Sequence, residues 1–203
     1  MKRTIVYVDG FNLYFGLKSK GWARYFWLNI GLLAQNLLKQ DQLLIMTKYF
    51  TSRINSPPDK FKRQQTFIEA LETLPDFKIY YGKYQANFVS CNKCGHIIPK
   101  PNEKMTDVNI AVEMLSDAFL DKYDTAILIS ADSDLSAPIR TVRSLFPQKE
   151  VVVAFPPDRF SFELTKLASA HFPIGRKKLA MSVFPNIVAK ANGYQLHKPA
   201  SWI

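Results

Sequence analysis

Four aspartates carry the chemistry that this sequence offers: Asp9, Asp107, Asp132 and Asp134. Asp9 ends the apolar run at 4–8, while Asp132 and Asp134 follow the run at 125–130 through Ala131. Asp107 sits in the first turn of a predicted helix, where the positive end of the helix dipole favours an ionised carboxylate. Carboxylates gathered in one cleft repel each other unless cations neutralise them. Hard oxygen donors without His or Cys suit Mg²⁺ or Mn²⁺, ions that keep several waters and bind substrate phosphates. Such an arrangement hydrolyses phosphodiesters, one ion activating water and a second stabilising the leaving oxygen. Asp9 and Asp132 are the expected main ligands, with Asp107 and Asp134 holding a second ion or orienting metal-bound water. Taken singly, an aspartate after a strand is more commonly a turn former, and Asp134 could simply cap the next helix. Glu113 is left out of the set. It lies six residues after Asp107, which at about 100° per residue turns it roughly 120° away.

The surrounding elements must bring these acids together. Short β-branched runs at 4–8, 43–50, 77–81, 125–130 and 151–155 read as five strands. Their lack of polar alternation suits strands covered on both faces, as in parallel sheets. Helical spacing fills the gaps, with starts expected at Asn29, at Pro58-Asp59, at Thr106 as a cap, and at Ser133 or Asp134. Alternation of strand and helix predicts an α/β fold: a doubly wound, mainly parallel sheet of about five strands with helices on both faces. In such a sheet, sites form beyond the carboxyl ends of the strands at the switch point, which is where Asp9 and Asp132 would fall. Residues 1–172 read as one domain with a Cys-containing loop at about 85–104. Residues 173–203 read as an extension packed on it.

Bulk properties agree with a phosphate-bearing partner. The chain has 203 residues, 27 Lys+Arg against 17 Asp+Glu, and a formal net charge of +10, so it is drawn to polyanions, of which nucleic acid is the commonest. Between residues 14 and 27, Tyr14, Phe15, Lys18, Lys20, Trp22, Arg24, Tyr25, Phe26 and Trp27 interleave cations with rings. Rings can stack on unpaired bases while cations follow the backbone; the alternative is that most of these rings pack the core. Lys60, Lys62, Arg63, Arg140 and Arg143 are further candidates to face a substrate. No run approaches the roughly 20 apolar residues of a membrane span, and 4–8 is too short for a signal-peptide core, so the expected location is cytoplasmic. Neither a G-x-G-x-x-G nor a Walker A pattern is present. The three histidines stand in no nucleophile motif.

Three segments carry a resemblance. Val8-Asp9-Gly10-Phe11-Asn12-Leu13-Tyr14, Glu103-Lys104-Met105-Thr106-Asp107-Val108-Asn109 and Ile129-Ser130-Ala131-Asp132-Ser133-Asp134-Leu135 resemble the signature segments of NYN-domain proteins, bacterial LabA-like members included, within the PIN-like nuclease superfamily. The likeness extends over about residues 4–172, and the tail segment Lys198-Pro199-Ala200-Ser201-Trp202 is also similar to the same group. It implies a metal-dependent ribonuclease with Asp9, Asp107, Asp132 and Asp134 as metal-binding residues. It also implies RNA as partner, Asn12, Lys104 and Ser130 as substrate contacts beside Arg140 from the helix after Asp134, and, by analogy, a homodimer. Ala131 departs from the family's usual glycine without removing a ligand. Cys91, Cys94 and His96 resemble half a zinc knuckle, yet structural zinc usually takes four ligands; only His171, His197 or carboxylates could complete the set. Two other readings stand beside the nuclease. One is a catalytically inactive RNA-binding or regulatory protein with the same fold. The other is a haloacid-dehalogenase-like phosphohydrolase built on Asp132-Ser133-Asp134, which leaves Asp9 and Asp107 unexplained.

Overall fold

The computed structural model describes residues 1–90 and 93–202, with side chains described outside 84–89 and 98–103. Its centre is a six-stranded sheet made of β1 (Lys2–Asp9), β2 (Gln42–Thr51), β3 (Phe77–Tyr81), β6 (Thr125–Ile129), β7 (Glu150–Phe155) and β8 (Ala170–Pro173). The order is β3-β2-β1-β6-β7-β8, and every neighbouring pair is parallel. The chain therefore winds outward from β1 through β2 to β3, then returns to β1's other side to begin again at β6. The β1–β6 seam is the switch point.

Both faces of the sheet are buried, which is why its strands read as unbroken apolar runs. Val6 and Val8 of β1, with Ile127 and Ile129 of β6, face one core. That layer holds α1 (Gly10–Ser19), α2 (Ile30–Leu37) and α3 (Pro58–Leu71) through residues such as Leu13, Leu33 and Leu71. Ile5 and Tyr7, with Ala126 and Leu128, face the other core. There α4 (Thr106–Phe119), α5 (Ser136–Leu145) and α6 (Phe162–Leu167) contribute Ile110, Ile139 and Leu164.

The fold is the expected α/β class, and four local expectations are corrected. The central sheet has six strands rather than five, because β8 is a four-residue edge strand without an apolar run. Residues 85–104 are not a loop. They belong to an antiparallel hairpin of β4 (Lys83–Ser90) and β5 (Ile97–Lys104), paired from Lys83↔Lys104 to Ser90↔Ile97. Pro99 and Pro101 disguised β5, yet proline is tolerated in a strand that has a free edge. Thr106 is not a cap but the first residue of α4, preceded by Met105 in the left-handed region at φ 80°. Finally, a 3-10 turn (Ser133–Leu135) precedes α5, and its cap is Asp132.

The last residues join the first core. Ile174, Phe184, Val188, Leu196 and Trp202 are buried there, together with Leu179 of α7 (Arg176–Ala180). β9 (Ile187–Ala189) and β10 (Gln195–His197) form a second short hairpin. Trp27 Nε1 donates to the carbonyl of Pro185 at 2.8 Å, and Trp202 packs against Phe26, Trp27 and Phe67. Among the described residues no helix is long and apolar enough to cross a membrane.

A charged cluster lies within the second layer. The Lys48 ammonium on β2 is nearly buried and bonds Asp117 and, at 2.7 Å, Glu113, both on α4. Tyr7 donates to Asp117 at 2.7 Å and Tyr80 to Glu113 at 2.6 Å. Burial pushes the Glu113 carboxyl up, but the bonds from Lys48 and Tyr80 outweigh it and hold the group below its usual value. Glu113 and Asp117 together thus clamp α4 to three strands. Removing one member of a buried pair leaves an uncompensated charge, at a cost of about 3–5 kcal/mol. Lys48→Met is expected to lower stability by about that much in urea unfolding; a midpoint equal to wild type would mean that Asp117 is adequately neutralised by Lys122 at 3.3 Å.

At the sheet's opposite end, Arg3 grips Asp124 through its backbone N–H (2.7 Å) and its guanidinium (2.8 Å). These bonds lower the Asp124 pKa from 3.8 to about 2. Its contribution to stability is complete above about pH 4 and is lost as pH falls through about 2. Asp124→Asn should flatten that part of an acid-unfolding curve followed by circular dichroism; superimposable curves would refute the linkage.

Candidate active site

Asp9 closes β1 and turns its nearly buried carboxylate back over the start of α1. Its Oδ1 accepts the backbone N–H of Asn12 at 2.9 Å, which makes Asp9 the helix cap. Its Oδ2 accepts the hydroxyl of Ser130 at 2.9 Å. Ser130 lies directly beyond β6 and is wholly buried. The same hydroxyl oxygen accepts the N–H of Asp132 at 3.1 Å, and Asp132 Oδ1 accepts the N–H of Asp134 at 3.0 Å. Asn12 Oδ1 completes the lashing by accepting the N–H of Ala131 at 3.1 Å. Three of the four predicted acids therefore stand on one continuous hydrogen-bonded path across the switch point.

Asp107, the fourth, is half-buried in the first turn of α4, the helix that packs on the 3-10 turn carrying Asp134. The donor set is entirely oxygen, and Asp132 and Asp134 are open to solvent in part or in full. In kind these residues fit a hard divalent cation. Among the described residues, no three of His, Cys, Asp and Glu converge closely enough to hold one ion as the side chains stand. A shared ion would therefore require the exposed acids to turn inward.

Gly10 is dictated by space. A Cβ there would lie 2.6 Å from the ring and hydroxyl of Tyr49 and 2.8 Å from the carbonyl of Phe50. Tyr49 is buried, and burial followed by the Asp9 charge pushes its phenol well above the usual tyrosine range. The floor beside Asp9 thus stays uncharged.

The other predicted contacts are placed unevenly. Ser130 serves Asp9 and Asp132 from a buried position. Asn12 spends its amide oxygen on Ala131. Lys104 is exposed at the end of β5, three residues before Asp107, and Arg140 is exposed about one turn into α5. Arg143 is committed to the carbonyl of Leu167 at 2.6 Å. Cys94 and His96 are exposed in the turn of the β4–β5 hairpin, while Cys91 lies outside the described residues.

A cleft of about 390 Å³ opens beside Gly10 and Phe11 and runs between α1 and α3 to Trp202. Tyr49, Thr51 and the tail's Ser201 and Trp202 line it, none of which the sequence pattern singled out for a site. A large aromatic near the far end of the chain was the one available signal.

The NYN domain model matches residues 3–175, from the start of β1 past the end of β8. The chain belongs to the NYN domain family. That places it in a nuclease-type family with a PIN-like fold. One curated relative is 6-hydroxy-3-succinoylpyridine 3-monooxygenase HspA of Pseudomonas putida, 25% identical over 176 residues. The alignment covers 70% of this chain but only 56% of that protein's length. Among solved structures, a protein of unknown function from Vibrio parahaemolyticus superposes with a TM-score of 0.57 at 18% identity, covering 90% of this chain and 96% of that one. It shares the fold.

Overpacking tests the Gly10 constraint. Gly10→Ala should cost about 1–3 kcal/mol, read as a lower urea midpoint with an unchanged slope; a wild-type midpoint would show that α1 can shift away freely.

Proposed function

We propose that this NYN-domain chain is a divalent-metal-dependent ribonuclease that hydrolyses RNA phosphodiester bonds at Asp9, Asp107, Asp132 and Asp134. The observation that carries the reading is the path Asp9–Ser130–Asp132–Asp134 across the β1–β6 seam. Open parallel sheets bind their ligands at that point. Capping accounts for the bonds of Asp9 and Asp132 to the N–H groups of Asn12 and Asp134, but not for the buried Ser130 hydroxyl that joins the two caps.

Asp9 and Asp132 would hold a Mg²⁺ or Mn²⁺ ion, and Asp107 and Asp134 a second ion or its waters. Bound cations would supply charge neutralisation and a water acidic enough to attack a phosphate. The chain's own residues supply position. The Asn12 N–H and the Ser130 hydroxyl fix the Asp9 carboxylate, and the Ala131 N–H fixes the Asn12 amide. Lys104 and Arg140 stand exposed on elements flanking the acids, where they can meet RNA phosphates as the net charge of +10 draws the polymer in.

The test is cleavage of a panel of single-stranded and hairpin RNAs with Mg²⁺, Mn²⁺ or EDTA. Asp9→Asn and Asp132→Asn should each lose more activity than the roughly 10- to 100-fold typical of a ligand's hydrogen-bond partner, whereas Ser130→Ala should fall within that range. RNA binding without cleavage, indifferent to all three substitutions, would instead identify an inactive RNA-binding protein.

A further inference from the structure

We propose that the aromatic cleft beside Asp9 seats one unpaired nucleotide of the RNA strand. The proposal rests on the ribonuclease reading and adds a specificity site to it.

Position comes first. Gly10 and Phe11, which line the cleft, immediately follow Asp9, and Tyr49, against which Gly10 packs, lines it as well. A strand whose phosphate lies at the acids therefore has its neighbouring nucleotide over this opening. The walls suit a base. Tyr14 and Phe26 lie 4.8 Å apart between ring centroids, and Phe26 and Trp202 lie 5.8 Å apart. Phe15 joins this wall and is 43% exposed. A volume of about 390 Å³ falls within the range that holds one small organic ligand.

Charge selects the class of occupant. Lys18, Lys60 and Arg63 line the cleft, and among the described residues no Asp or Glu does. Lys18 lies 6.0 Å above the Phe15 ring. Arg63 is paired with the exposed Asp59 at 2.8 Å, a surface contact weak enough to be exchanged for a phosphate. Rings inside and cations outside match a base with its phosphate. A base held in a duplex is stacked and paired and cannot enter without unpairing.

The test measures binding in EDTA, where turnover is suppressed, with a labelled eight-nucleotide RNA as single strand or blunt duplex. Single-stranded RNA should bind at least tenfold more tightly. Phe15→Ala and the double variant Lys60→Ala/Arg63→Ala should each weaken it about tenfold, while leaving the melting temperature near wild type. Strands carrying 4-thiouridine should crosslink to a peptide containing Tyr14 and Phe15, or to one containing Trp202. Equal affinity for strand and duplex, unaffected variants, or crosslinks confined to α5 would overturn the proposal. So would displacement of the RNA by nicotinate but not by uridine monophosphate, which would mark a small-molecule site. The two readings fail separately: metal-dependent cleavage with unaffected cleft variants sinks only the cleft. Loss of binding in those variants, with no cleavage by wild type, supports the cleft and sinks the ribonuclease.

Discussion

The architecture turns on the carboxylate of Asp9. It is nearly buried at the seam where the winding of the sheet reverses, and a buried charge is tolerated only when its oxygens are satisfied. One oxygen takes the free N–H at the start of α1 and the other takes the hydroxyl of Ser130. The first bond sets where the helix begins and requires Gly10, because no side chain fits between that turn and β2. The second ties β1 to the segment leaving β6 and, through the Asp132 N–H, sets the turn that carries Asp134. Helix capping and the assembly of an acidic centre are therefore one set of hydrogen bonds. Each of Asp9 and Asp132 has the structural role that a bland reading gives it. The Asp132 capping bond engages Oδ1, whereas both Asp9 oxygens are bonded, one to the Asn12 N–H and the other to the Ser130 hydroxyl.

The fourth acid depends on a different device. α4 reaches the site only with its first turn, and what holds the rest of the helix is the cluster of Lys48 with Glu113 and Asp117. Such a cluster is a poor source of net stability, since desolvation consumes most of the attraction. Its effect is directional. A lysine on β2 that must meet two carboxylates on α4, with Tyr7 and Tyr80 completing their shells, permits little sliding of the helix along the sheet. Glu113, unsuited to the ion site by its angle on the helix, is occupied here instead.

The tail gives the first layer its outer wall. Trp202 stacks among Phe26, Trp27 and Phe67 and at the same time lines the cleft beside Asp9. The interleaved rings and cations of 14–27 accordingly divide their roles. Trp27 is core, Tyr14 and Phe15 are exposed at the cleft, and Lys18 lies at its edge.

Local pattern determined a good deal. Unbroken β-branched runs identified five of the six strands of the central sheet, because a strand buried on both faces has no polar alternation to show. Helical spacing identified α2 to α5, and the positions of Asp9 and Asp132 just past apolar runs placed them at strand ends. Pattern failed where the deciding contact was distant or the local signal was masked. The prolines of β5 hid a hairpin that a free edge permits, and β8 is too short and exposed to carry a period. The sequence pointed to Ser133 or Asp134 for the start of the helix after β6, but the side chain that caps the turn is that of Asp132. Above all, Ser130 meets Asp9 at a sequence separation of 121, and Trp202 meets the cleft from the other end of the chain. No local period encodes such meetings. They follow from the order in which the strands assemble, which places β6 beside β1 and brings the tail back over α1 and α3.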